Sequence, residues 1–346
     1  MHITQKLVLM FFSIKFLFPT QVEWALYSDY LKTIYVGSKT GISCIKQNDW
    51  RFFQTTSSDT ILKVGKDINL EEVYANEVDE FNLAIKGTRA AWIEKEKIVI
   101  FDLYQQKVEH FFDSPDKEEK YMKVHIDPCG KTALTLVEID KQEESSILCE
   151  WRVLDIDKNS WIVLDAKPTT FPATFLTWLP SGQEIIFYDK SDGITSIKKI
   201  DGSQTFMANL LSSPDMSIES CSFSPDGKLL ALCCQNIDGQ AEIFIYSKGD
   251  NKLKKLTAFQ TARINPDNIS WSPLGNWILF RDVYSANPIL RMISLHGKKN
   301  NLFSIPRSYS REPMMGWLAD GKHIWWFSQN TLNITGIIDD AAVPRK

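Results

Sequence analysis

Five histidines, His2, His110, His125, His296 and His323, are the side chains best suited to carry protons or ligate a metal near neutral pH. No two stand at ligand spacing on one element, so a zinc site would have to be assembled from distant parts of the chain. Asp155-Ile156-Asp157-Lys158-Asn159 has the alternating oxygen side chains that open a calcium loop. The Gly that such a loop needs next is Ser160, and the position of its bidentate Glu is Ala166, so no calcium site is expected. Gly-x-Ser-x-Gly is absent, and no Gly-rich phosphate loop joins a strand to a helix. The residues thus predict no catalytic group, no metal and no cofactor, and leave His125 as the one histidine set apart by its place in a repeat.

That repeat is clearest at Phe223-Ser224-Pro225-Asp226-Gly227-Lys228-Leu229-Leu230-Ala231-Leu232. Pro presets φ in the turn, Asp bonds back to nearby backbone, and Gly takes the positive-φ corner, which together specify a hairpin. Matching turns end at Gly130, Gly182, Gly275 and Gly321; the steps from Gly130 are 52, 45, 48 and 46 residues. Two weaker anchors precede them, Gly87 and Leu31, making seven.

Flanking columns repeat with the turn. Four residues before the anchor stand Tyr27, Leu83, Ile126, Trp178, Phe223, Trp271 and Trp317; three after it stand Ile34, Ala90, Ala133, Ile185, Leu230, Ile278 and Ile324. Five before it the chain has Asn82, His125, Thr177, Ser222, Ser270 and Gly316, small or polar, with Leu26 breaking the pattern. A second hairpin follows each copy, as at Ala241 to Leu256, so each repeat holds four short strands. Such repeats predict an all-β, seven-bladed (alternatively six-bladed) β-propeller of four-stranded antiparallel blades. If the first strand of each blade lines the channel, Asn82, His125, Thr177, Ser222 and Ser270 form a polar binding rim or hold a string of waters.

The Ser-Pro-Asp-Gly-Lys turn after an aromatic strand, with hairpins such as Ile200-Asp201-Gly202-Ser203, resembles the repeats of TolB-like propellers over residues 26 to 339. WD repeats fit less well, since no Trp-Asp dipeptide occurs. The resemblance implies the propeller fold. TolB itself carries an α/β domain ahead of its propeller, for which residues 1–25 leave no room.

A net charge of −4 without a basic run argues against nucleic acid as a partner. The six cysteines form no disulfide framework; Cys44, Cys149, Cys221, Cys233 and Cys234 fall in predicted strands and Cys129 in a turn. Residues 1–25 support two readings. Lys6 followed by Leu7 to Ile14 and then Pro19 reads as a secretory signal, implying a periplasmic or secreted protein. Alternatively Leu7 to Phe18 supplies a ring-closing strand in a cytoplasmic protein, because the last blade offers only three strands, near Pro313, His323 and Leu332. The apolar run is too short and too charged for a transmembrane span.

Blade one is read with Ile34 to Val36, Ile42 to Ile45 and Trp50 to Phe53 as its outer strands. Two insertions, Ser57 to Glu80 (a helical turn or an extra strand) and the acidic Glu138 to Ser146, are candidate partner contacts. Residues 340–346 read as a tail. The expected function is a non-catalytic scaffold binding a protein or peptide in the cell envelope; the alternative is a channel-site enzyme, a polysaccharide lyase or hydrolase, using a His with carboxylates at the ring mouth and holding a metal or sugar near His125.

Overall fold

The computed structural model describes residues 14–17, 22–28, 33–38, 41–46, 71–74 and, with gaps that include 140–146, 165–168, 209–215, 258–268, 283–288 and 305–314, residues 82–336. Among the described residues there are seven four-stranded antiparallel sheets and no helix. The first holds β2 (Val22–Ser28), β3 (Thr33–Ser38), β4 (Gly41–Lys46) and β5 (Glu71–Tyr74); the second holds β6 (Asn82–Leu83), β7 (Arg89–Glu94), β8 (Lys97–Asp102) and β9 (Lys107–Phe112). In the third are β10 (Glu119–Ile126), β11 (Thr132–Ile139), β12 (Leu148–Asp155) and β13 (Ser160–Val163), and in the fourth β14 (Thr174–Trp178), β15 (Glu184–Tyr188), β16 (Thr195–Lys199) and β17 (Gln204–Ala208). The fifth runs β18 (Met216–Phe223), β19 (Leu229–Asn236), β20 (Ala241–Ser247) and β21 (Lys252–Lys255); the sixth runs β22 (Ser270–Trp271), β23 (Trp277–Asp282), β24 (Ile289–Ser294) and β25 (Lys299–Ser304). In the seventh, β26 (Met315–Trp317), β27 (His323–Ser328) and β28 (Thr331–Gly336) are completed by β1 (Ile14–Leu17).

The repeat anchors sit where their chemistry requires. Gly130, Gly182, Gly227, Gly275 and Gly321 all have positive φ, and each donates its N–H to the carbonyl three residues earlier, as from Gly227 to Ser224 at 2.8 Å. In the same turn the Asp226 carboxylate accepts the Lys228 N–H at 3.1 Å. These turns gather at one end of the sheets, because each joins the first and second strands of its copy. Gly182 packs on the preceding turn so closely that a Cβ there would lie 2.5 Å from Asp127 Oδ2.

Successive sheets bury their faces against each other. Leu134, Trp151 and Val153 of the third sheet pack on Trp178, Ile185 and Phe187 of the fourth, and Ala231, Cys233 and Ile243 of the fifth pack on Trp271, Ile278 and Phe280 of the sixth. The same pattern joins sheets two to three, four to five and six to seven. Middle strands therefore have no wet face and read as continuous apolar runs, Ile185 to Tyr188 among them. Cys233 and Cys234 point into opposite clusters, as strand alternation demands. First strands of neighbouring sheets touch, β6 with β10, β14 with β18, β18 with β22 and β22 with β26, and so form the inner lining.

Two elements resolve open points of the sequence. The fourth strand of the first sheet is β5, inside the expected insertion, pairing Tyr74 with Ile42; Trp50 to Phe53 lie outside the described residues. At the other end, β1 pairs Ile14 with Ile334 and Leu17 with Thr331, supplying the strand the seventh copy lacks.

Candidate functional site

The inner strand β10 does not run straight. Its register with β11 shifts between Tyr121 and Lys123, so Met122 is an extra residue, and both Met122 and Lys123 are exposed. A bulge at the same distance from the turn recurs in β18 at Glu219, and β14 bulges at Leu176. Past the bulge Lys123 and His125 lie on one face, opposite Leu136 and Leu134.

His125 touches both neighbouring sheets. Its ring stacks on Phe175 of β14, with centroids 4.3 Å apart and planes at 24°, and its Nδ1 lies 3.3 Å from Asn82 Oδ1 on β6. A ring reached from both sides sits at the edge of β10 that lies between β6 and β14. Trp151 lies behind it at 6.2 Å. Burial, and then the nearby Lys123 ammonium, push the His125 pKa down to about 4, so the ring is neutral at pH 7. With Asn82 Oδ1 accepting, Nδ1 carries the proton and Nε2 keeps its lone pair.

The other members of the column occupy equivalent places on successive inner strands. Thr177 donates its hydroxyl to the Trp178 carbonyl at 3.2 Å. Ser222 and Ser270 serve through their backbone: the Trp271 indole N–H donates to the Ser222 carbonyl at 2.7 Å, and Trp317 to the Ser270 carbonyl at 3.3 Å. Gly316 lies under Trp325, where a Cβ would come 2.9 Å from the indole nitrogen. In the sixth and seventh sheets the column's tryptophan thus latches the small, polar column of the sheet before it. Trp178 belongs to the aromatic column, yet its buried N–H has no acceptor. The structure brings Asn82 and His125 into contact; Thr177, Ser222 and Ser270 remain on separate sheets.

Sequence reasoning missed Lys123, Phe175 and two ion networks. Arg152 bonds Glu119 through both terminal nitrogens, at 2.5 and 2.8 Å, and Glu150 through Nε at 2.5 Å, all within the third sheet. Arg89 joins Glu109 of its own sheet to Asp157 of the next. Isolated charges in unrelated stretches carry no signal for such partnerships.

Asp155 to Asn159 forms the hairpin between β12 and β13, with Asp155 paired to Lys158 at 2.7 Å. Among the described residues no three His, Cys, Asp or Glu side chains gather as a metal site. His323 pairs with Asp320 in the seventh sheet and His110 lies near Glu109 in the second. Cys129, Cys149, Cys221, Cys233 and Cys234 are not in disulfides, and burial pushes the thiol pKa values of Cys221 and Cys234 up. No helix among the described residues is long and apolar enough to cross a membrane.

No family model and no curated protein matches the sequence. Solved structures do match the fold. The β-propeller domain of Myceliophteria thermophila Cps50 (Swd1) superposes with a TM-score of 0.62 at 11% identity, covering 94% of this chain and 100% of that one. An oligogalacturonate lyase in complex with manganese gives 0.64 at 10% identity, covering 96% and 91%. A chain of the mitotic checkpoint complex gives 0.61 at 12%, covering 94% and 91%. At such identities the likeness speaks for architecture alone, and with the serial packing of four-stranded sheets it shows that this chain has a β-propeller fold.

Proposed function

We propose that the chain is a non-catalytic, TolB-like propeller whose seven sheets close into one ring through β1, and that it binds a protein or peptide. The observation that carries this reading is the packing of His125. His125 is stacked on Phe175 and tied to Asn82, and the charge that acts on it is the Lys123 ammonium, with no carboxylate beside it among the described residues, which is poor preparation for acid–base work. The end away from the turns also presents apolar side chains to solvent: Phe171 is 85% exposed, Ile237 84% and Ile147 58%. Phe171 and Ile147 flank the bridge between Cys149 and Thr169, beside the acidic insertion.

The fold does not choose between scaffold and enzyme, since both occur among its structural neighbours. The channel-site enzyme therefore stays as the rival. To separate them, the full chain is given manganese and oligogalacturonate while ultraviolet absorbance follows any unsaturated product, and a parallel capture compares it with a variant whose residues 138–146 are replaced by a Gly-Ser linker. The scaffold reading expects no product and a protein partner lost in the variant. Product formation that disappears in His125→Ala overturns it.

Cleavage of a secretory signal after Leu17 would remove β1 and leave an open edge on the seventh sheet. We read residues 14–17 as retained in the folded protein. An intact mass lacking the first 18 to 25 residues, in an envelope fraction, would restore the export reading.

A further inference from the structure

We propose that the channel wall where β6, β10 and β14 meet binds a carboxylate, held by the Lys123 ammonium, the Asn82 amide N–H groups and the Trp178 indole N–H beside His125. The inference rests on the scaffold reading and names the chemistry its partner presents. Lys123 is exposed on an inner strand, and no described residue forms an ion pair with it. Asn82 uses its oxygen to accept from His125, which leaves its two amide hydrogens for another acceptor.

Trp178 supplies the independent observation. Its counterparts Trp271 and Trp317 aim their N–H groups at the inner edge of the preceding sheet. Trp178 instead lies in the cluster with Leu134 and Trp151, edge-on to the Phe175 ring that stacks on His125, and its N–H, unlike those of its counterparts, reaches no carbonyl and is buried without an acceptor. A buried donor left open at a wall that also carries an unpaired cation is matched by an anionic acceptor.

No described carboxylate competes. The elements packed around the ring offer Phe175 from β14, Asn82 from β6, Leu134 from β11 and Trp151 from β12, none of them charged. Glu119 and Glu150 are held by Arg152. A carboxylate next to the neutral ring favours its protonated form, turning Nε2 from a bare lone pair into a further donor. Binding therefore takes up a proton, and affinity rises as pH falls from 7 to 5.

The test uses the full chain and tryptophan fluorescence, since Trp151 and Trp178 border the site. Three probes are titrated: N-acetylglycinate, a short acetylated Gly-Ala peptide with a free C-terminus, and the same peptide as its C-terminal amide. Saturable binding is expected for both carboxylates and not for the amide, tighter at pH 5 than at pH 7 on the order of tenfold. Lys123→Gln is expected to weaken it at least about tenfold without moving the melting temperature, and Asn82→Ala, which also removes the bond to His125, to weaken it by a similar factor. A peptide that binds more tightly than N-acetylglycinate identifies a chain terminus as the source, whereas equal affinities identify a free small acid. No saturation at millimolar concentrations, or unchanged binding in Lys123→Gln, overturns the site. Capture of a protein partner would survive that failure, so loss of this site and loss of the scaffold reading are told apart.

Discussion

The indole N–H of Trp271 donates to the backbone carbonyl of Ser222 at 2.7 Å, across the boundary between two sheets. Each such bond fastens a blade to the inner strand of its predecessor, and a net contribution of about 1 kcal/mol is typical for one buried hydrogen bond. Trp178 fills the same column without an acceptor.

Replacing either indole by phenylalanine removes similar ring area, but only Trp271→Phe also removes a bond. Urea denaturation should find Trp271→Phe less stable than Trp178→Phe by about 1–2 kcal/mol. Equal losses would show that the latch contributes nothing.

A methyl group at residue 182 meets two obstacles, a φ of +71° and the Asp127 carboxylate 2.5 Å away. Gly193, with φ of +72°, has nothing within 4 Å. Gly193→Ala should cost about 1 kcal/mol from backbone strain alone. Gly182→Ala should cost at least about 1 kcal/mol more, read from denaturation midpoints.

Arg152 compensates the buried carboxylate of Glu150 and the partly buried one of Glu119. Arg152→Met should destabilise the fold by about 3–5 kcal/mol, because both acids then remain without that partner. Combining it with Glu119→Leu and Glu150→Leu should recover most of that loss. A strictly additive triple variant would contradict the network.

The depressed pKa of His125 makes stability depend on acid. The unfolded chain binds a proton near pH 6.5 and the folded chain only near 4, so the contribution is complete above pH 6.5 and is lost as pH falls toward 4. The loss should reach about 3 kcal/mol across that window. His125→Phe keeps a ring against Phe175 and should abolish this part of the slope in denaturation midpoints taken from pH 7 to 4.

The turns were legible because Gly227 and its counterparts carry local chemistry, and the aromatic column was legible because it repeats. What that column bonds to was not, since the partners lie a repeat apart: 43 residues separate Asn82 from His125, and 49 separate Ser222 from Trp271. The fourth strand of the first sheet was hidden for another reason. Glu71 to Tyr74 has little alternation and follows a long connection, so its pairing with β4 is a tertiary choice. Arg152, Glu119 and Glu150 look like solvated charges until the second and third sheets close over them.

The functional account turns on His125 being a neutral ring packed into the wall. Nitrogen NMR of the histidine-labelled full chain, assigned with His125→Phe and followed from pH 8 to 4, measures this directly. The account requires the Nδ1–H tautomer throughout the neutral range and a midpoint near 4. A midpoint near 7, with the ring charged or exchanging at neutral pH, would contradict it and make His125 a working acid–base group.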